Sequence, residues 1–253
     1  MNRERLKKTK LRYSSKGEYT LERSDLHENI ITQIMHDFRG EENPIAILMG
    51  GGSASGKTWL RELVYKEQIQ LGNQFLIIDA DEIKKKLPEY DELIAKRPDK
   101  MASVLHDESS DISSSLLTRC ISEKINFIYD GTMKNFQKYN NIIDTLIETG
   151  YEIRGIIADV DVNEAIRRNK ERFTRTNRMV PVNELIKSHT GVSETFMKIK
   201  DKLTEYALYD TFDDYLIFAI KTIDYGEKVF DEERMQTFIN KAQMQFQPGK
   251  QTS

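Results

Sequence analysis

Gly51-Gly52-Ser53-Ala54-Ser55-Gly56-Lys57-Thr58 carries the spacing G-x-x-x-x-G-K-[ST], and reading this octapeptide decides the fold. Its glycines let successive backbone N–H groups curl around phosphate oxygens. Directly before it stands Ile45-Ala46-Ile47-Leu48-Met49, a compact apolar run behind Pro44 that reads as a buried strand. After it, Leu60, Leu63 and Val64 recur at helical spacing. A strand, a glycine turn and a helix in that order make a phosphate-binding loop, with the positive end of the helix dipole facing the anion. Gly51, Gly52, Ser53, Ala54, Ser55 and Gly56 are therefore expected to cradle the phosphates of ATP. Lys57 is expected on the β and γ phosphates, and the Thr58 hydroxyl on Mg²⁺.

Outward from the loop, strand signals recur at Phe75 to Ile78, Phe127 to Tyr129, Ile153 to Ile157 and Tyr215 to Ile220, with helical patterns between them. Parallel neighbours need long crossover connections, so this alternation predicts an α/β fold. The expected architecture is a P-loop kinase-like, doubly wound parallel sheet of about five strands flanked by helices. Helical extensions are expected at both ends: Leu26, Ile30, Ile31 and Ile34 share one face within 21–38, and an amphipathic helix starts near Asp231. Residues 1–18 are basic and polar without an apolar face, and read as a mobile arm. Residues 19–253 read as a single domain, with a core over 44–220 and a C-terminal helix and tail over 231–253.

The 253 residues are 38% hydrophobic and 31% charged, a balance that folds rather than stays disordered. A single cysteine, Cys120, excludes an intrachain disulfide and a cysteine-built zinc cage, and is expected to pack in a helix. A net charge of -3 argues against a broad nucleic-acid surface and points to a small-molecule substrate. No apolar run approaches the roughly 20 residues that a membrane helix needs. The basic N-terminus is followed by no apolar secretory core, so a cytoplasmic location without membrane contact is expected.

Within P-loop proteins, guanine readers need N-K-x-D and D-x-x-G, and neither occurs; Asn169-Lys170-Glu171-Arg172 lacks the aspartate. An LSGGQ-like transport signature is also absent, which leaves a small-molecule kinase. Such an enzyme needs a carboxylate beyond the C-terminal end of a strand to take the proton of the acceptor hydroxyl. Asp79 and Asp81 close the second strand in Ile77-Ile78-Asp79-Ala80-Asp81, at a spacing that aims both to one side if extension persists through Ala80. The competing role for either is to cap the helix beginning near Glu82. Asp130 closes the third strand, placed to hold a Mg²⁺-bound water, to touch substrate, or simply to turn the chain before Gly131. Five arginines, Arg167, Arg168, Arg172, Arg175 and Arg178, crowd the segment after the fourth strand. Guanidinium groups there would offset charge on a transferring phosphoryl group, although most of a charge run is ordinarily a solvated face.

Taken together, GGSASGKT, the strand-end IDAD followed by Pro88, the strand-end DGT and the arginine pair in ERFTRTNRMVP resemble the zeta toxin family, over roughly 44–181. That resemblance implies a P-loop kinase that phosphorylates UDP-N-acetylglucosamine or a related UDP-sugar at the 3′-hydroxyl of the amino sugar, restrained by an epsilon-type antitoxin. It implies Asp81 as the catalytic base and Arg172 and Arg178 as the clamp on the transferring phosphate; Asp79, Asp130 and Thr132, at or just beyond strand ends, are also expected near the substrate. His106-Asp107-Glu108-Ser109-Ser110 is similar to a variant in zeta-like kinases, which implies that Glu108 and Ser109 face substrate; the alternative is a capped helix start. One departure bears on the acceptor. Gly131-Thr132-Met133-Lys134 carries a lysine where UDP-sugar kinases of the family often have arginine, and lysine does not reproduce a bidentate contact. The alternatives are a kinase of a nucleoside, a nicotinamide dinucleotide or an antibiotic hydroxyl, or a non-catalytic ATP-binding switch.

Overall fold

The computed structural model describes residues 6–176 and 179–244. In chain order these begin with α1 (Thr9–Tyr13), β1 (Ser14–Ser15), β2 (Glu18–Tyr19), α2 (Leu21–Met35), β3 (Ile45–Gly51) and α3 (Lys57–Gln70). There follow β4 (Leu76–Ile78), α4 (Ala80–Lys84), α5 (Tyr90–Lys96), α6 (Pro98–Ser122), β5 (Phe127–Tyr129) and α7 (Phe136–Glu148). The remainder is β6 (Glu152–Asp159), α8 (Val162–Thr176), α9 (Val182–Ile199), β7 (Glu205–Asp210), β8 (Leu216–Thr222), β9 (Gly226–Val229) and α10 (Glu232–Asn240). Where one domain is expected from the sequence, the chain divides into two compact units: 1–42 with 74–127, and 43–73 with 128–253.

The second unit carries the sheet order β5-β3-β6-β7-β8-β9. Its centre is parallel: Ile45 to Gly51 of β3 lie opposite Glu152 to Ala158 of β6, and β6 pairs in parallel with β7. β3 is apolar along its length because it is covered on both sides, with Ala46, Ile47, Leu48 and Met49 at 0–1% exposure. β7, β8 and β9 then pair antiparallel. β7 and β9 are additions to the expected strands. The segment Glu205-Tyr206-Ala207-Leu208-Tyr209-Asp210 has only a short apolar centre between charges. Tyr215, expected to open β8, stands just before it with a left-handed φ of 54°.

In the first unit, α6 is the axis on which α1, α2, α4 and α5 pack. Its 25 residues start with Pro98 at the first helical turn, where the missing N–H costs nothing. β4 is held at Leu76, whose N–H donates to the Asn126 carbonyl. The expected mobile arm instead folds over its described part into α1 and the β1–β2 hairpin. Lys8 pairs with Asp107, Lys10 with Asp111, and the Tyr19 hydroxyl donates to Asp111, so the basic residues meet an acidic face of α6. Cys120 is buried in α6, which pushes its thiol up to about 12.

Candidate active site

The second unit builds the phosphate loop. Gly51 donates its N–H to the Thr132 carbonyl at 3.1 Å, so the loop and the strand-end Asp130-Gly131-Thr132 are joined backbone to backbone. Gly56 takes φ +84° as the N-cap of α3, a conformation that suits glycine, and α3 begins at Lys57. Gly52 is required by crowding: a Cβ there would sit 2.4 Å from Cδ2 of His189. Three side chains distant in sequence fix the curl. The Ser188 hydroxyl accepts the Ser53 N–H at 2.8 Å, His189 Nε2 lies 3.0 Å from the Ser53 carbonyl, and the Thr211 hydroxyl donates to the Ser55 carbonyl at 2.6 Å. Because a carbonyl only accepts, Nε2 carries the proton of a neutral ring. Burial pushes His189 below its usual 6.5, with the charge of Lys241 adding to the effect.

Lys57 forms an ion pair with Asp130. Arg61 donates from Nη1 to the other carboxylate oxygen of Asp130 at 2.6 Å. Asp130 is only 5% exposed and its carboxylate is shared between the two cations, while Arg61 also donates from Nη2 to Glu62 at 2.6 Å on the outer side. Asp130, expected from the sequence to hold a Mg²⁺-bound water, to touch substrate or to turn the chain, holds the loop lysine in this conformation. Arg61 was missed, although its place one helical turn beyond Lys57 was a usable signal. Thr58 is exposed on the first turn of α3. An exposed hydroxyl there fits the small protein share of a Mg²⁺ shell that phosphates and water otherwise fill. Among the described residues, no group of three His, Cys, Asp or Glu side chains comes together to ligate a metal. Thr132, also exposed, contributes its carbonyl to Gly51 as above.

On α8, Arg172 donates from Nη2 to Asn169 Oδ1 at 3.0 Å. Asn169 is fully buried and bonds both the N–H and the carbonyl of Val180, tying the end of the following loop back to the helix. Arg168 is turned onto Glu164 and the Thr211 and Phe212 carbonyls, and Arg167 onto Glu164 and Glu171. Both guanidinium groups are thus engaged within the protein. Arg178 lies outside the described residues.

In the first unit, Asp79 and Asp81 follow β4, but extension stops at Asp79 and the helix starts at Ala80. The two carboxylates therefore do not share an extended backbone as expected. The Asp79 side chain accepts the Asp81 N–H at 2.7 Å, which is the capping role. Asp81 is half exposed and receives the ammonium of Lys84, a lysine only 4% exposed. Glu108 and Ser109 lie in the middle of α6, at neither a surface nor a helix start. Glu108 is inaccessible and accepts from Arg23 Nε at 2.6 Å and from Nη2 at 3.0 Å, with His27 Nε2 at 2.7 Å. Burial raises its pKa, but these bonds and one from Thr9 outweigh that and hold it at about 2. The Ser109 hydroxyl donates to the His106 carbonyl at 3.0 Å. Both side chains are thus engaged internally. Beside Arg23 the same unit has a cavity of about 420 Å³, lined by Tyr13, Leu26 and Pro88 among others.

The family model described as Zeta toxin matches residues 29–222. The chain is 28% identical over 116 residues to Toxin PezT of Streptococcus pneumoniae serotype 4, covering 46% of this chain and 45% of that protein. It is 26% identical over 136 residues to Toxin zeta of Enterococcus hirae, covering 54% of this chain and 46% of that protein. The chain thus spans less than half the length of these curated relatives. Among solved structures, one of the PezAT chromosomal toxin-antitoxin system of Streptococcus pneumoniae has a TM-score of 0.63 at 20% identity, over 80% of this chain and 82% of that one. The AvrRxo1-ORF1:-ORF2 structure with ATP has a TM-score of 0.72 at 15% identity, over 97% and 84%. Both likenesses concern the fold. No helix among the described residues is long and apolar enough to cross a membrane. With its family model matched over more than half of its length, the chain belongs to the zeta toxin family.

Proposed function

We propose that the chain is an ATP-dependent phosphotransferase that moves the γ-phosphate to a hydroxyl of a small, nucleotide-containing acceptor, with UDP-N-acetylglucosamine or a related UDP-sugar as the first candidate. The observation that carries this reading is the strand–loop–helix at Gly51 to Thr58, with Lys57 and Arg61 converging on Asp130 under the loop. Lys57, whose ammonium is held under the loop by Asp130, is a cation placed for an incoming polyphosphate. ATP would meet the backbone N–H groups of Gly52, Ala54 and Gly56, those of Gly51, Ser53 and Ser55 being bonded within the protein, and draw Lys57 from Asp130 toward its phosphates, while Arg61 retains the carboxylate. Mg²⁺, with Thr58 as protein ligand, would supply charge neutralisation on the phosphates. Asp81 orients the acceptor hydroxyl and takes its proton, and Arg172 with Arg178 offsets charge on the moving phosphoryl group. The relatives' names support toxicity as the biological outcome, and the PezAT neighbour supports a protein antitoxin as partner.

The reading predicts that Asp81→Ala abolishes phosphoryl transfer to UDP-N-acetylglucosamine while ATP affinity, measured by calorimetry, stays within about twofold of native. Equal loss of ATP binding would refute the assignment of Asp81. Transfer to a nucleoside or nicotinamide dinucleotide, with none to the UDP-sugar, would replace the acceptor and keep the chemistry.

A further inference from the structure

Trp59 is the sole tryptophan in the chain, and at 51% exposure it stands on the first turn of α3, two positions after Lys57. A half-exposed aromatic ring is ordinary by itself. What distinguishes this one is its place beside the phosphate loop and its neighbour. The ring of Tyr215 lies 3.9 Å from that of Trp59, centroid to centroid, with 31° between the planes. Tyr215 is held there at a left-handed φ of 54°, a backbone state that a bulky residue adopts at a cost and that collects at binding sites. The same segment closes over the loop, because a Cβ on Gly56 would meet the Tyr215 hydroxyl at 3.0 Å and Thr211 at 3.3 Å. Phe212, 56% exposed, adds a further aromatic face.

We infer that Trp59 and Tyr215 form the stacking platform for the nucleobase of the phosphate donor. The inference rests on the phosphate-loop reading above. Two residues along a helix turn the side chain by about 200°, so Trp59 leaves α3 on the side away from Lys57. A nucleoside triphosphate lying across the N-terminus of α3, with its terminal phosphate at Lys57, delivers its base to that opposite side. Stacking reads the π-face and not the hydrogen-bonding edge, so it tolerates either purine. Arg168, which reaches the same segment, is turned onto Glu164 and the Thr211 and Phe212 carbonyls and is not offered to a base edge. ATP and GTP are therefore both donors' bases that this platform accepts.

Because no other tryptophan is present, fluorescence excited beyond the tyrosine absorption band reports this ring alone. Native protein is titrated with ATP, GTP and inorganic tripolyphosphate, each with Mg²⁺, and affinities are measured in parallel by calorimetry. The expected result is saturable quenching by both nucleotides, at affinities within a few-fold of each other, and none by tripolyphosphate. Trp59→Leu is expected to weaken ATP by about tenfold, the scale of one base–aromatic stack, without changing tripolyphosphate affinity. Tyr215→Leu is expected to do the same in part, and circular dichroism checks that both variants fold. Unchanged ATP affinity in folded Trp59→Leu, or equal quenching by tripolyphosphate, overturns the platform. Failure of native protein to bind either ATP or tripolyphosphate by calorimetry would overturn the phosphate-loop reading instead.

Discussion

Replacing Asp130 by asparagine keeps the side-chain volume and withdraws the charge on which Lys57 and Arg61 converge. The three side chains are 5%, 17% and 8% exposed respectively, so water screens little of what is lost. Removing one member of a buried pair costs about 3–5 kcal/mol, and here Lys57 and Arg61 lose the anion between them, Arg61 keeping Glu62 on its outer side. A loss of about 4 kcal/mol is expected, which for a chain of this size lowers Tm by about 8–16 °C. The same two cations become a better anion site. Tripolyphosphate should therefore stabilise Asp130→Asn more than native protein and narrow the gap in Tm. Scanning calorimetry with and without tripolyphosphate measures both quantities. A variant that melts within about 2 °C of native, or a gap that fails to narrow with the anion, would refute the shared-carboxylate argument.

Other perturbations test separate parts of the structure. Glu108→Gln leaves Arg23 buried with Glu89 as its remaining carboxylate and should cost about 3 kcal/mol by urea denaturation, where a loss under about 1 kcal/mol would contradict the network. In the native protein Glu108, held at about 2, contributes stability that is complete above its unfolded value of 4.5 and is lost as pH falls through about 2. His189 has the opposite charge type: the unfolded chain takes up a proton near pH 6.5 that the buried ring refuses. Stability should thus decline as pH falls below about 6.5, and His189→Gln should flatten that slope in urea midpoints taken between pH 7.5 and 5.5. An unaltered slope would sink the assignment. Lys84→Met removes the buried ammonium on Asp81 and is expected to lower kcat about tenfold without moving KM for ATP; in an Asp81→Asn background it should cost nothing more, and full additivity would show that Lys84 acts independently. Thr211→Val deprives the Ser55 carbonyl of a 2.6 Å bond and should weaken ATP by several-fold, with an unchanged Kd as the contrary result.

The phosphate loop was legible in sequence because its spacing, the preceding strand and the following helix are contiguous, and local physics fixes all three. The capping role of Asp79 was legible for the same reason, as one of two readings. What stayed hidden was whatever the topology brings from afar. Ser188, His189 and Thr211 lie more than a hundred residues from the loop they clasp, and nothing local marks a serine or threonine that will bond a distant backbone group. Arg23 and Glu108 are 85 residues apart, and without that contact Glu108 reads as substrate-facing or as part of a capped helix start, while the basic arm reads as mobile rather than matched to the acidic face of α6. β7 escaped notice because charges at both ends mask a four-residue apolar centre that only its neighbours in the sheet complete.

A metabolite extract incubated with Mg²⁺ and ATP, with either native protein or Lys57→Ala, and read by mass spectrometry tests phosphoryl transfer most directly. A new ion heavier by one phosphoryl group, formed by native protein and absent with Lys57→Ala, is the predicted result and identifies the acceptor. No such ion, from native protein that still binds ATP, would contradict the transferase and leave a nucleotide-gated binding module in its place.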